Sequence, residues 1–217
     1  MDGPLLVRRA ALLWTRRMDR LRLRGLQGLH PGLHVDPAAA PAFARARYNL
    51  APGARLRIGA GAVTERIPGA LSFVVHTGAE VVVGEGAWLR TETQPVVVTA
   101  QPGARIEIGR EVMLNGCQLS ARERIVLRER CSIGPGSRLY DFQHDIDDER
   151  PQRVGPIEVG AFTWISSDVT IMDGIRVGEH AVVGAKSLVN RDVAPHTLVA
   201  GIPARERGRV GDRSRAR

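Results

Sequence analysis

The chain has 217 residues, room for one domain with tails; 43% of them are apolar but only 4% aromatic, so any core must be aliphatic. The formal charge of +8 sits at the ends: residues 1–24 hold seven Arg against two Asp, residues 205–217 hold six Arg against two acids, and the body between is close to neutral. This argues against a nucleic-acid-binding face, as the two cysteines argue against a disulfide framework and the lack of any run near about 20 apolar residues argues against a spanning helix.

Residues 1–24 read as a basic amphipathic helix. Leu6, Ala10, Leu13, Trp14, Met18 and Leu21 keep the three-and-four spacing of one apolar face, with Arg8, Arg9, Arg16, Arg17 and Arg20 around it. Such a stripe is expected to pack on the body or on a neighbouring subunit. Its basic flanks leave peripheral contact with anionic lipid as the alternative. The apolar stretch from Ala10 to Trp14 is too short for a signal peptide and runs into Arg16 and Arg17, so a cytoplasmic chain is expected. Residues 25–47, with Gly25, Gly28, Pro31, Gly32, Pro37 and Pro41, read as a breaker-rich linker.

From Tyr48 to residue 204 the pattern turns to short β-branched runs punctuated by Gly, Pro and Asn. Residues 159–194 divide into six hexapeptides: VGAFTW, ISSDVT, IMDGIR, VGEHAV, VGAKSL and VNRDVA. The first residues, Val159, Ile165, Ile171, Val177, Val183 and Val189, are all β-branched aliphatics. The fifth, Thr163, Val169, Ile175, Ala181, Ser187 and Val193, are small or β-branched. Weaker copies begin at Leu127, Ile133, Ile108, Val83 and Ile58, with Cys131 at an inward fifth position and irregular insertions around residues 91–102 and 141–156. A repeat of six is too short for a helix–strand unit. It predicts flat strands joined by tight turns, coiling in layers about 4.8 Å apart around an aliphatic column. An open-ended coil needs covers, and the N-terminal helix is a candidate for one. Residues 205–217 form a basic tail.

The segments IVLRERCSIGPGSRLYDFQHD and PIEVGAFTWISSDVTIMDGIRVGEHAVVGAKSLVNRDVAPHTLVAGIPAR resemble the hexapeptide-repeat acyltransferases, especially the maltose, galactoside and polysaccharide O-acetyltransferases. The resemblance implies a left-handed parallel β-helix with three hexapeptides per coil, an all-β fold behind its N-terminal helix. It further implies a homotrimer with active sites in the clefts between subunits, and acetyl-CoA, or another acyl-CoA, as co-substrate. His144, at the break of the repeat, matches the family's general base. A neutral imidazole with a pKa near 6.5 suits deprotonation of a hydroxyl attacking a thioester, with no covalent intermediate. Asn115 and Trp164 match acceptor-side and thioester-side residues, and Tyr140 and Asp141, just before the base, join them as substrate-binding candidates. Ser167 matches a serine that contacts the coenzyme, Gly184 and Ala185 match the pair whose backbone lies along its pantetheine arm, and Arg191 and Arg205 match positions near its phosphates. A second family arginine falls on Gly208, for which Arg207 or Arg209 could substitute.

Read without the resemblance, Asn115 is a turn asparagine, Trp164 an outward strand residue and each arginine a solvated charge. His180 and His196 are expected to be exposed, while His30 and His34 fall in the linker and His76 on an early strand. His144 has no companion spaced to complete a three-histidine zinc site of the γ-class carbonic anhydrase kind, so no metal is assigned. Two rivals remain: a non-catalytic β-helix that binds partners, and an acyltransferase using a longer acyl chain or an acyl carrier protein drawn to the Arg-rich tails.

Overall fold

The computed structural model describes residues 3–143 and 153–214, with side chains from Ala11 onward. The chain coils into a left-handed parallel β-helix shaped as a three-sided prism, each pass laying one short strand on each face. The first face runs from Leu33–Val35 to Arg176–Val177 and the third from Arg47–Leu50 to Leu188–Val189, with seven strands each. The second runs from Val63–Thr64 to Thr197–Ala200 and ends in the antiparallel strand Arg205–Arg209.

The hexapeptide grammar maps directly onto this prism. Val159 pairs with Val177, Ile165 with Val183 and Ile171 with Val189, so three hexapeptides make one coil. All six first-position residues and all six fifth-position residues of 159–194 are buried. The register carries the same columns upstream, through Ile58, Val83, Ile108 and Leu127 on the first face and Phe73, Val98, Leu119 and Leu139 on the third. Burying each such side chain contributes about 1.5–3 kcal/mol, which is how a core nearly free of aromatics can hold.

The turns explain two further regularities. The fourth residue takes a left-handed backbone in most of the units, with φ of 54° to 57° at Arg130, Phe162, Asp168, His180 and Lys186. The glycine that follows so many aliphatic first residues answers to close approach between coils. A Cβ at Gly160 would lie 2.4 Å from the amide nitrogen of Glu179 in the next coil, and backbone cannot yield that space cheaply.

Cys117 and Cys131 are free, buried and part of the core. Burial pushes the Cys117 thiol up to about 12 and raises that of Cys131 too. Neither is expected to react with Ellman's reagent at pH 8 in the native protein, and both should react once the chain is unfolded in guanidinium; fast native labelling would contradict this packing. Because the folded thiols stay neutral, raising the pH through the ordinary value of 9.0 ionises them only in the unfolded chain, and their contribution to stability is then lost.

The N-terminal region departs from expectation. The helix runs over Gly3–Leu29, through Gly25 and Gly28, two of the three glycines assigned to the linker. The rest of that segment is the first coil: Leu33–Val35 pairs with Arg55–Ile58 on the first face, and the 3-10 helix Pro41–Arg45 follows it. Phe43 and Ala44 are wholly buried there. The helix packs on this coil, but not through the expected stripe. Its contacts include Leu23 in the core, Leu26 packed against it, Arg20 donating to the Pro37 carbonyl at 2.8 Å, Gln27 accepting from the Val35 amide at 2.8 Å, and Asp19, which is 2% exposed and ion-paired with Arg45 at 2.9 Å and Arg66 at 2.6 Å. Leu13, Trp14, Met18 and Leu21 face solvent. No helix among the described residues is long and apolar enough to cross a membrane.

Candidate active site

Five of the expected site residues gather along the edge between the second and third faces. Asn115 ends the strand Met113–Asn115, its Oδ1 accepting from Thr93 Oγ1 at 3.4 Å. In the turns that follow, each coil hands an amide to the one before it: Gly136 to the Gly116 carbonyl, Asp168 to Pro135 and Lys186 to Ser167, all at 2.8–2.9 Å. Ser137 and Ser187, polar at inward fifth positions, are satisfied inside these turns. Ser137 Oγ donates to the Ser166 carbonyl at 2.8 Å, and Ser187 Oγ donates to Gly184 at 2.7 Å while accepting from the Gly201 amide at 3.0 Å. The result is a rigid ladder bearing Ser167, Gly184 and Ala185. Arg205 begins the returning strand at the same edge, its guanidinium donating to the Ala204 carbonyl at 2.8 Å. Gly208, where the family's second arginine falls, stands on that strand, but Arg207 reaches back to the Gly201 turn, its Nη2 3.6 Å from where a Cβ of Gly201 would lie. Arg209 instead donates to Thr197. Lys186 adds an exposed cation here, 3.3 Å from Asp168. The sequence signal for Lys186 was its place directly after Gly184 and Ala185.

A second group lies where the third face turns into the first. Tyr140 projects from the strand Arg138–Tyr140, donates its hydroxyl to Gln118 Oε1 at 2.5 Å and stacks on Phe142. Asp141 differs from the expected substrate contact. Its side chain is fully buried and its carboxylate accepts from the amides of Arg122 at 2.7 Å, Glu123 at 2.9 Å and Arg124 at 2.7 Å. It therefore anchors the neighbouring turn. The chain then leaves the prism as a short antiparallel pair, Phe142 opposite Val154 and Gln143 opposite Arg153. Gln143 Nε2 donates to Asp173, and Arg153 lies 3.6 Å from the same carboxylate, so both strands are tied to the next coil. His144 follows Gln143 directly in the sequence and lies outside the described residues. Tyr140, Phe142, Gln143, Thr170, Met172 and Leu188 border an open cleft of about 470 Å3. Arg191 is exposed at this second edge, away from Arg205.

Trp164 stands on the outer face of the strand Trp164–Ile165, 44% exposed, beside a cleft of about 510 Å3 that it shares with Ser132, Thr163 and Arg213. The tail residue Arg213 lies over its ring at 5.4 Å, a contact the sequence did not signal. The Arg213 amide donates to His180 Nδ1 at 2.9 Å. His180 is not exposed as expected: its side chain is 12% accessible and stacked between Phe162 and His196 on successive coils.

No family model matches the chain. It is 29% identical over 138 residues to the galactoside O-acetyltransferase of Escherichia coli (strain K12), covering 61% of this chain and 66% of that one. A putative acetyltransferase of Staphylococcus aureus (strain Mu50 / ATCC 700699) is 31% identical over 108 residues, and this match takes in 48% of the chain and 54% of the relative. The chain thus spans between half and two thirds of these relatives' length. The polySia-specific acetyltransferase NeuO shares the fold, with a TM-score of 0.59 over 78% of this chain and 84% of that one at 18% identity. The chain is thus similar in sequence to proteins named as acetyltransferases and shares the fold of one of them. Within this prism, Asn115, Ser167, Gly184, Ala185 and Arg205 share one edge, Tyr140, Asp141 and Arg191 mark another, and Trp164 lies on the face leading to the first.

Proposed function

We propose that the chain is a CoA-dependent O-acyltransferase that moves an acetyl group to a hydroxyl of a sugar or glycan, working as a homotrimer with His144 as general base. The observation that carries this reading is the division of the expected residues between two edges of one prism. Two edges of a rigid prism cannot close on one substrate, but in a ring of three copies the edge of one subunit faces the other edge of its neighbour. Each seam then holds a coenzyme half and a base half. The assignments rest on the family resemblance and on the relatives' names, and the geometry supports them.

The chemistry follows from these groups. Small Gly184 and Ala185 leave room for the pantetheine arm, and Arg205, with Arg191 from across the seam, meets the phosphates. Neutral His144 takes the proton of the acceptor hydroxyl as its oxygen attacks the thioester carbonyl. The tetrahedral oxyanion meets the Ser167 amide, whose neighbours Ser166 and Asp168 commit theirs to the coil ladder. Collapse breaks the carbon–sulfur bond, and the imidazolium returns its proton to the departing thiolate. Asn115, Tyr140 and Trp164 border the acceptor.

Release of free thiol from acetyl-CoA, followed against a panel of mono- and oligosaccharides, amine acceptors and longer acyl-CoAs, tests the proposal. Turnover with acetyl-CoA and hydroxyl acceptors supports it. Turnover only with amines or longer acyl donors would redirect it, and none with any pair would favour a non-catalytic β-helix.

A further inference from the structure

The N-terminal helix presents a face that the prism does not use. Asp19 and Leu23 fix its inner side. Leu21, two residues from each, points roughly 200° away around the helix. Trp14 and Met18 share that outer side at the three-and-four spacing, and Leu29 continues it. Trp14, Met18, Leu21 and Leu29 are 65%, 41%, 49% and 76% exposed, which is costly for an isolated apolar stripe in water.

Charge decides what covers it. Arg17 and Arg24 border the stripe on one flank and Arg22 on the other, all exposed. From Ala11 to Leu29 the one acid is Asp19, turned inward and already paired with Arg45 and Arg66. The outer surface of the helix therefore carries positive charge alone. A second copy of the same face would set arginine against arginine with no carboxylate between them. An apolar protein groove would leave the arginines without counter-charges.

We propose that this face docks on an anionic lipid surface, the helix lying in the interface plane with Trp14, Met18 and Leu21 among the upper acyl chains. The arginine stems would run along that apolar layer and deliver their guanidinium groups to lipid phosphates. The proposal does not depend on the acyltransferase reading.

Flotation of the full chain with phosphatidylcholine vesicles, with and without phosphatidylserine, tests it. Binding should require the anionic lipid and weaken at high salt. It should fall by about tenfold or more in the variant Trp14→Ser/Met18→Ser/Leu21→Ser, and likewise in Arg17→Glu/Arg22→Glu/Arg24→Glu. Because these side chains are exposed, both variants should melt as the parent does. No flotation with anionic vesicles, equal flotation on pure phosphatidylcholine, or unchanged binding by the serine variant would overturn the proposal. So would failed flotation combined with a smaller oligomer for that variant in sedimentation, which would make the face a protein contact.

Discussion

Replacing His144 by alanine is expected to lower kcat by about 10²–10⁴-fold, the usual contribution of a positioned general base, while the Kd for acetyl-CoA stays unchanged. The split between the two constants matters. A residue that only supported the fold would weaken both, whereas a base acts on the proton of the acceptor and touches the coenzyme little. In the parent enzyme kcat/KM should fall towards acid pH, because a protonated imidazole cannot accept a proton. Single-turnover rates across pH 5–9, with calorimetric coenzyme affinity for parent and variant, check both expectations. Retained turnover in the variant would remove His144 from the mechanism.

Asp141→Ala should be the most damaging single change for stability outside the aliphatic column. One buried carboxylate serves three successive amides, those of Arg122, Glu123 and Arg124. Truncation leaves these donors without an acceptor and opens a void where the third face turns, at an expected cost of about 3 kcal/mol. Asp141→Asn keeps an acceptor oxygen and should lose less. Because Asp141 immediately precedes the paired strands that begin at Phe142, activity should fall together with stability. It is a positioning residue, so rescue is informative: the asparagine variant should recover both stability and kcat in part, with an unchanged pH profile. Chemical denaturation of the three proteins measures the first expectation. A stable, fully active alanine variant would contradict the anchoring role.

How much the sequence revealed depended on how local the governing physics was. The six hexapeptides were legible because every inward position repeats within the coil, and Val159, Ile165 and Ile171 stack on Val177, Val183 and Val189 as the pattern requires. The first coil was not, because Leu33–Val35 is three residues long and the 3-10 helix Pro41–Arg45 stands in for a hexapeptide. Only stacking on Arg55–Ile58 gives that segment its place. The helix stripe was legible, but from Leu13 to Leu21 it faces away from the prism. Periodicity identifies an apolar face without naming what meets it, and on the prism the anchor is the polar Asp19, whose partners are Arg45 of the first coil and Arg66 of the next. The same limit applies to Asp141, which looked like a site residue beside His144 until its backbone partners were seen. Lys186 and Arg213 escaped notice for a related reason: one is an ordinary surface charge until the turns stack, and the other reaches Trp164 only through the path of the tail.

Calorimetric titration of acetyl-CoA into the full chain, beside the variant Ala185→Trp, tests most directly whether the edge bearing Ser167, Gly184 and Ala185 holds the coenzyme. Ala185 is exposed, so the bulky replacement should leave the prism folded while blocking the groove. One coenzyme should bind per chain in the parent, with an affinity lower by about tenfold or more in the variant, the equivalent of at least about 1.4 kcal/mol. Absence of binding to the folded parent, or equal affinity in the two proteins, would contradict it.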